Sequence, residues 1–248
     1  MLGIIGGTGL TQLENLNIIR RQLIRTPYGE PSGPLTFGEI CGHTVVFLPR
    51  HGSGHTIPPH LVNYHANLWA LNAEGVRSIV SIATVGGIHS DLTPGRIVLP
   101  DQIIDYTHGR RSTYYDGIDL PVKHIDFTEP YCPKMRELCR QAATKAGESL
   151  IDGGVYAAVQ GPRLETAAEI NRLERDGASM VGMTGMPEAA LARELDISYA
   201  ALCPVLNYAA GRGNSLHGIS YTDINLVLVE VMERIRKLIE EVVMLHAD

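Results

Sequence analysis

Three turns in this sequence, each directly after a short apolar run, hold the residues best suited to gripping an anion. Gly3-Ile4-Ile5 runs into Gly6-Gly7-Thr8-Gly9, Ser78-Ile79-Val80-Ser81-Ile82-Ala83 runs into Thr84-Val85-Gly86-Gly87, and Val45-Val46-Phe47-Leu48 is followed by Arg50-His51-Gly52. Bare backbone amides in such turns converge on negative charge, and a hydroxyl or guanidinium beside them adds donors. One glycine cluster after a strand is an ordinary tight turn. The repetition beside Thr8, Thr84 and Arg50 is what points to a small phosphate-like ligand. Gly7 and Gly9 also begin a G-x-G-x-x-G pattern, but Gln12 stands at its third position and no acidic residue follows a second strand at the required distance. A dinucleotide fold is therefore set aside.

The elements that must carry these turns alternate between short apolar runs and helical patterns. The pattern predicts strands at 2–5, 35–40, 44–48, 78–83, 96–99, 154–159, 179–183 and 198–206. Helices are predicted near 61–75, 133–146, 164–176, 187–195 and 221–245. Such alternation implies an α/β sheet with helices on its faces. Ligands of such sheets gather at the carboxyl ends of strands, where Thr8, Arg50, Thr84, Thr184 and Asn207 all fall. The stretch 105–130, with Tyr106, His108, Tyr114, Tyr115, His124 and Phe127, is long for a connection and is expected to cap a pocket or meet another subunit.

Bulk properties narrow the class of function. With 248 residues, 44% of them hydrophobic, and no linker-like segment, the chain is expected to form one domain over 1–248. Its net charge of −6 and the lack of a basic cluster argue against a nucleic-acid groove or an anionic membrane surface. No apolar stretch approaches the roughly 18 residues needed to cross a bilayer, and no leader pattern opens the chain. A cytoplasmic protein is the expectation. Cys41, Cys132, Cys139 and Cys203 lack C-x-x-C spacing and read as reduced thiols. His51 and His55 make an H-x-x-x-H pair, but Gly52 and Gly54 between them argue against a helix and hence against zinc.

Taken together, several segments resemble the purine nucleoside phosphorylase superfamily, in particular its trimeric branch that contains methylthioadenosine phosphorylase. They are Gly6-Gly7-Thr8-Gly9-Leu10, Pro49-Arg50-His51-Gly52, His55-Thr56-Ile57-Pro58-Pro59, Val62-Asn63-Tyr64-His65-Ala66-Asn67, Gly161-Pro162-Arg163-Leu164-Glu165-Thr166, and Gly182-Met183-Thr184 with Pro187-Glu188-Ala189. The resemblance implies a mixed twisted sheet flanked by helices and a homotrimer with active sites at subunit borders. It also implies phosphorolysis, in which inorganic phosphate attacks C1′ of a nucleoside and frees the purine, with phosphate as co-substrate and no cofactor or metal. Thr8, Arg50, His51, Ala83, Thr84 and Thr184 would then hold phosphate, the alanine through its backbone, with the Arg50 fork expected to meet two oxygens at once. Met183 would lie against the ribose. His51, Thr184 and Asn207 would be the catalytic set.

The purine is where the sequence departs from the methylthioadenosine branch. The aspartates that meet adenine in that branch look like Asn207 and Ala209 here, in Val205-Leu206-Asn207-Tyr208-Ala209. Its serine is Glu165, as in the Phe-Glu-Thr of 6-oxopurine enzymes, which here reads Leu164-Glu165-Thr166. A 6-oxopurine presents a donor at N1 and an acceptor at O6, so it suits a carboxylate and an amide. Adenine presents the reverse, and such a mismatch can cost on the order of 10⁴-fold in discrimination. Leu164, Tyr208 and Ala209 are the expected neighbours of the base.

For the sugar, Val122-Lys123-His124-Ile125 and Glu129-Pro130-Tyr131-Cys132-Pro133-Lys134 match the subunit-edge loop of the methylthio branch. A methylthio group wants an aliphatic wall, which His124 from a neighbouring subunit with Ile219, Tyr221 or Ile224 would form. His217 would instead favour a 5′-hydroxyl. The combined expectation is release of hypoxanthine from S-methyl-5′-thioinosine, leaving 5-methylthioribose 1-phosphate. Methylthioadenosine, inosine or guanosine as substrate, a nucleosidase using water, and a non-catalytic nucleoside sensor are the alternatives.

Overall fold

Alternate side chains of the first strand enter two different cores. Ile5 packs with Val46, Ile79 and Leu68 on one face, whereas Ile4 packs with Phe47, Val80 and Ile235 on the other. A strand covered on both faces must be apolar throughout, as residues 2–6 are. That double burial makes the molecule a sheet between two helical layers. A computed structural model describes residues 1–247.

In chain order the elements are β1 (Leu2–Gly6), β2 (Asn17–Gln22), β3 (Leu35–Ile40), β4 (His43–Pro49), α1 (Tyr64–Ala73), β5 (Ser78–Ile82), β6 (Val85–Gly87), β7 (Ile97–Leu99) and β8 (Gln102–Asp105). They continue with α2 (Pro133–Ala146), β9 (Leu150–Asp152), β10 (Val155–Ala158), α3 (Ala167–Arg175), β11 (Met180–Gly182), α4 (Gly185–Glu194), β12 (Ser198–Tyr208) and α5 (Tyr221–Ala247). The mixed twelve-stranded sheet runs β2-β3-β4-β1-β5-β12-β6-β11-β10-β8, with β7 joining β12 to β9. Residues of α1 and α4 fill the core on one face, and residues of α2 and α5 fill it on the other.

Four strands were not expected from the sequence. β2 is an edge strand whose residues are almost all exposed, so no buried face marks it. β6, β8 and β9 have three or four residues each, and glycine, glutamine or aspartate interrupts their apolar run. The glycines of β6 had read as a turn. Helix boundaries shifted where caps decide them. Asn63 caps α1 by accepting from the Ala66 amide, and Thr166 caps α3, so these helices start at Tyr64 and Ala167 rather than near 61 and 164.

Strand direction explains where the chemistry collects. β4, β1, β5 and β12 run parallel, which brings the ends of β1, β4 and β5 to one edge. β6 then leaves that edge alongside β12, and β11 returns antiparallel to β6, so Met183 and Thr184 come back beside the residues that follow β5. In β12 the register slips by one residue between Val205 and Asn207 against β6. This bulge re-aims the strand at Asn207.

Candidate active site

At that edge lies a cavity of about 670 Å³ lined by the glycine turn of β1, the turns after β4 and β5, the 162–165 and 182–184 segments, the end of β12 and the start of α5. Thr8, Arg50, His51, Ala83, Thr84, Met183 and Thr184 all line it. So do Leu164, Glu165, Asn207 and Ala209, together with Tyr221 and Ile224. Residues up to 221 positions apart in the chain, Gly7 and Leu228, therefore share one space, with the strand-end residues among them as inferred.

The anion end is built on close backbone approach. A Cβ on Gly7 would stand 2.5 Å from the Ile82 carbonyl and 2.9 Å from Arg50 Nη1, so only glycine lets the turn meet both. Gly9 has φ +79° and its Cβ would meet Leu228 of α5 at 2.7 Å. The glycine turn thus also seats the helix that forms the far wall.

Arg50 departs from expectation. It is 1% exposed, and its fork faces Glu188, with Nε at 2.6 Å and Nη2 at 2.8 Å from the carboxylate. Nη2 also donates to Ser81 Oγ at 2.5 Å and Nη1 to the Ile82 carbonyl at 2.9 Å. A guanidinium has five N–H groups, so one on Nη1 remains for a ligand rather than a bidentate pair. Glu188 is fully buried and accepts further bonds from Ser81 (2.7 Å) and Tyr199 (2.8 Å). Burial pushes its carboxyl up, but the Arg50 charge and these donors outweigh that and hold it below the ordinary range. In the sequence Glu188 stands out only as part of the segment Pro187-Glu188-Ala189. An acid at the start of a helix, just after a phosphate-type threonine, is the sequence signal for it.

His51 is held by Nδ1 against the Ile57 carbonyl at 2.8 Å, which makes Nδ1 the protonated nitrogen and Nε2 an acceptor. Burial, reinforced by the Arg50 charge, pushes its pKa down to about 4, so the ring is neutral at pH 7. Its centroid lies 4.8 Å from that of His55, another lining residue. Thr184 is buried, and its amide donates to the Tyr156 hydroxyl at 3.3 Å.

At the other end the acid and the amide face the same space. Glu165 sits just before the capping box of α3, in which Thr166 accepts from the Glu169 amide (3.1 Å) and Glu169 accepts from the Thr166 amide (2.7 Å). It is therefore ahead of the helix and not in its first turn. The neighbouring cation, Arg163, is committed to Glu169 at 2.7 and 2.8 Å. Burial raises the Glu165 pKa. Asn207 donates one N–H to the Tyr208 carbonyl at 2.7 Å, leaving its oxygen and second N–H.

Two expected contacts are not brought to the cavity. Tyr208 follows Asn207 on a strand, so its side chain takes the opposite face, where it lines a separate hollow with His89 and Arg212. Ile219 precedes α5, and the wall is made instead by Tyr221, Ile224, Asn225 and Leu228, a stripe at helical spacing. Asn225 and Leu228 were not foreseen, nor were Ile57 and Pro58. His124, which was expected from a neighbouring subunit, lies on the exposed 120–124 segment and does not line the cavity of its own chain. His217 is also exposed and does not line it.

Comparison with known proteins gives a consistent picture. The sequence matches the Phosphorylase superfamily over residues 1–244. It is 49% identical to a probable S-methyl-5′-thioinosine phosphorylase of Pseudomonas syringae pv. tomato, covering 94% of each chain. It is 44% identical to a probable 6-oxopurine nucleoside phosphorylase of Thermococcus kodakarensis, covering 96% of this chain and 90% of that one. Among solved structures, methylthioadenosine phosphorylase from Schistosoma mansoni in complex with adenine superposes with a TM-score of 0.94 at 30% identity, covering 99% of this chain and 91% of that one.

Proposed function

The chain belongs to the phosphorylase superfamily, and from that premise we propose that it cleaves the N-glycosidic bond of S-methyl-5′-thioinosine with inorganic phosphate, giving hypoxanthine and 5-methylthioribose 1-phosphate. It is a pentosyltransferase of the purine nucleoside phosphorylase type. The observation that carries the substrate is the meeting of Glu165 and Asn207 in the cavity that also holds Thr8, Arg50, Thr84 and Thr184.

In this reading phosphate sits among the three threonine hydroxyls, the backbone at Ala83 and the remaining Arg50 N–H. The neutral His51 accepts a hydrogen bond through Nε2 from the protonated oxygen of monohydrogen phosphate, which leaves an unprotonated, anionic oxygen to face C1′. As the C1′–N9 bond lengthens, positive charge spreads over the ribose and the bonding pair passes to the purine. Phosphate stabilises the first and the base reader the second. Glu165 accepts from N1–H and Asn207 donates to O6, and once solvent protonates the departing purine anion at N7 the Asn207 oxygen accepts a hydrogen bond from N7–H. Met183 packs against the ribose. No cofactor or metal enters these steps.

The methylthio group meets Tyr221, Ile224 and Leu228 of α5, with His124 reaching in from a neighbouring subunit of a homotrimer. Tyr221 is 69% exposed, and Ile118 and Val122, on the segment carrying His124, are 88% and 65% exposed; apolar surface of that kind supports such an arrangement. No helix among the described residues is long and apolar enough to cross a membrane. The four free thiols fit a reducing compartment, and the cytoplasm is the proposed location.

The test is phosphorolysis of methylthioinosine, methylthioadenosine, inosine and guanosine side by side, with and without phosphate. Methylthioinosine should give the highest kcat/KM, and only with phosphate. A preference for methylthioadenosine overturns the base assignment, one for inosine overturns the sugar assignment, and release without phosphate makes the protein a hydrolase.

A further inference from the structure

Arg110 stands behind the cavity wall, not in it, and is bonded to both of the neighbouring loops that follow β10 and β11. Nη1 donates to the carbonyls of Met183 (2.8 Å) and Met186 (2.7 Å), on either side of Thr184 and Gly185. Nη2 donates to the carbonyls of Gln160 (2.8 Å) and Val159 (3.3 Å), and Nε to the Gln160 side chain (3.1 Å), on the loop that leads to Glu165. Nη1 also reaches the Tyr64 hydroxyl at 3.2 Å, and that hydroxyl donates to the Pro59 carbonyl at 3.0 Å. Every N–H of the planar fork is engaged. A lysine, with three donors from a single point, has no geometry that would satisfy carbonyls on two loops.

The segment that delivers Arg110 is fixed independently of any ligand. Thr113 Oγ1 and the Tyr114 amide donate to Glu194 of α4 at 2.6 and 2.7 Å, and the Tyr114 hydroxyl donates to the His65 carbonyl of α1 at 2.8 Å. The guanidinium is thus a fixed post between the loop that carries the phosphate ligand Thr184 and the loop that carries the purine ligand Glu165.

We infer that Arg110 is a positioning residue that couples the phosphate subsite to the purine subsite. Because one fixed planar fork is bonded to both loops, a shift of one loop on binding its ligand changes the donors that hold the other, and the second ligand then meets a loop already in place. Removing the cation leaves both subsites present and the Val159 amide bond to the Gly182 carbonyl (2.8 Å) as the remaining link, so the coupling weakens. This rests on the assignment of the two ends of the cavity to phosphate and purine.

The experiment is calorimetric titration of hypoxanthine into the wild-type protein, R110A and R110K, each with and without saturating inorganic phosphate, alongside melting temperatures. Phosphate should tighten hypoxanthine binding to the wild type by about tenfold, within the usual range of coupling between sites. In R110A and R110K that factor should fall to about twofold or less, while each ligand still binds alone. Added guanidinium ion should restore part of the factor to R110A, and methylammonium should not. Wild-type coupling retained in R110K or R110A overturns the inference, as does a wild-type protein that binds purine equally with and without phosphate. If R110A fails to fold, R110K decides. Tighter binding of adenine than of hypoxanthine overturns the base assignment instead, and coupling is then read with adenine.

Discussion

Glu165 is under opposite demands from the fold and from the chemistry. Burial raises its pKa, so the folded state favours the acid more than the unfolded chain does. Its contribution to stability is therefore full below the unfolded pKa and is lost as pH rises through the folded value. In the proposed reading the purine favours the carboxylate, because that form accepts a charge-assisted hydrogen bond from N1–H, stronger than one to the neutral acid. Binding should thus weaken as pH falls through a value above the ordinary carboxylate range, with KM rising before kcat declines. A pH profile of kcat/KM for methylthioinosine checks this. E165Q should lower kcat/KM by roughly 10- to 150-fold, the worth of a charge-assisted hydrogen bond of about 1.5–3 kcal/mol, and should flatten that acidic limb.

At the scale of elements, caps and bulges aim these side chains. Thr166 closes the capping box of α3 directly after Glu165, so the helix start sets where the acid points. T166A should cost about 0.5–2 kcal/mol of stability, seen as a fall in Tm, and should raise KM for the nucleoside while leaving KM for phosphate unchanged. T166S should restore both. The slip in register between Val205 and Asn207 has the same character at another part of the wall, where Asn207 and not Tyr208 lines the cavity.

At the scale of the whole molecule, the cavity opens along α5, where Tyr221, Leu226 and Val229 are each more than two-thirds exposed. A neighbouring chain would cover such a surface. Sedimentation should give three times the 27.0 kDa of the chain, and H124A should reduce kcat/KM for methylthioinosine at least about tenfold more than for inosine, on the scale of an apolar group losing its wall. Equal losses on both substrates would remove His124 from the 5′ site.

Much of this was legible in the chain itself. Contiguous residues declare a strand that ends in a glycine turn, because apolar run and bare amides are neighbours in sequence, and so Thr8, Arg50, Thr84 and Thr184 could be placed at strand ends without coordinates. The acid and amide at 165 and 207 were readable through the segments around them. The short strands β6, β8 and β9, the exposed edge strand and the stripe on the first turns of α5 were not, since each lacks a local period or a buried face of its own. Nor could the sequence say that the Arg50 fork faces Glu188, or that Arg110 joins two loops. Those partners are 138 and up to 76 residues apart, and which donors remain for a ligand is settled only when strand order brings distant carbonyls and carboxylates within hydrogen-bond reach.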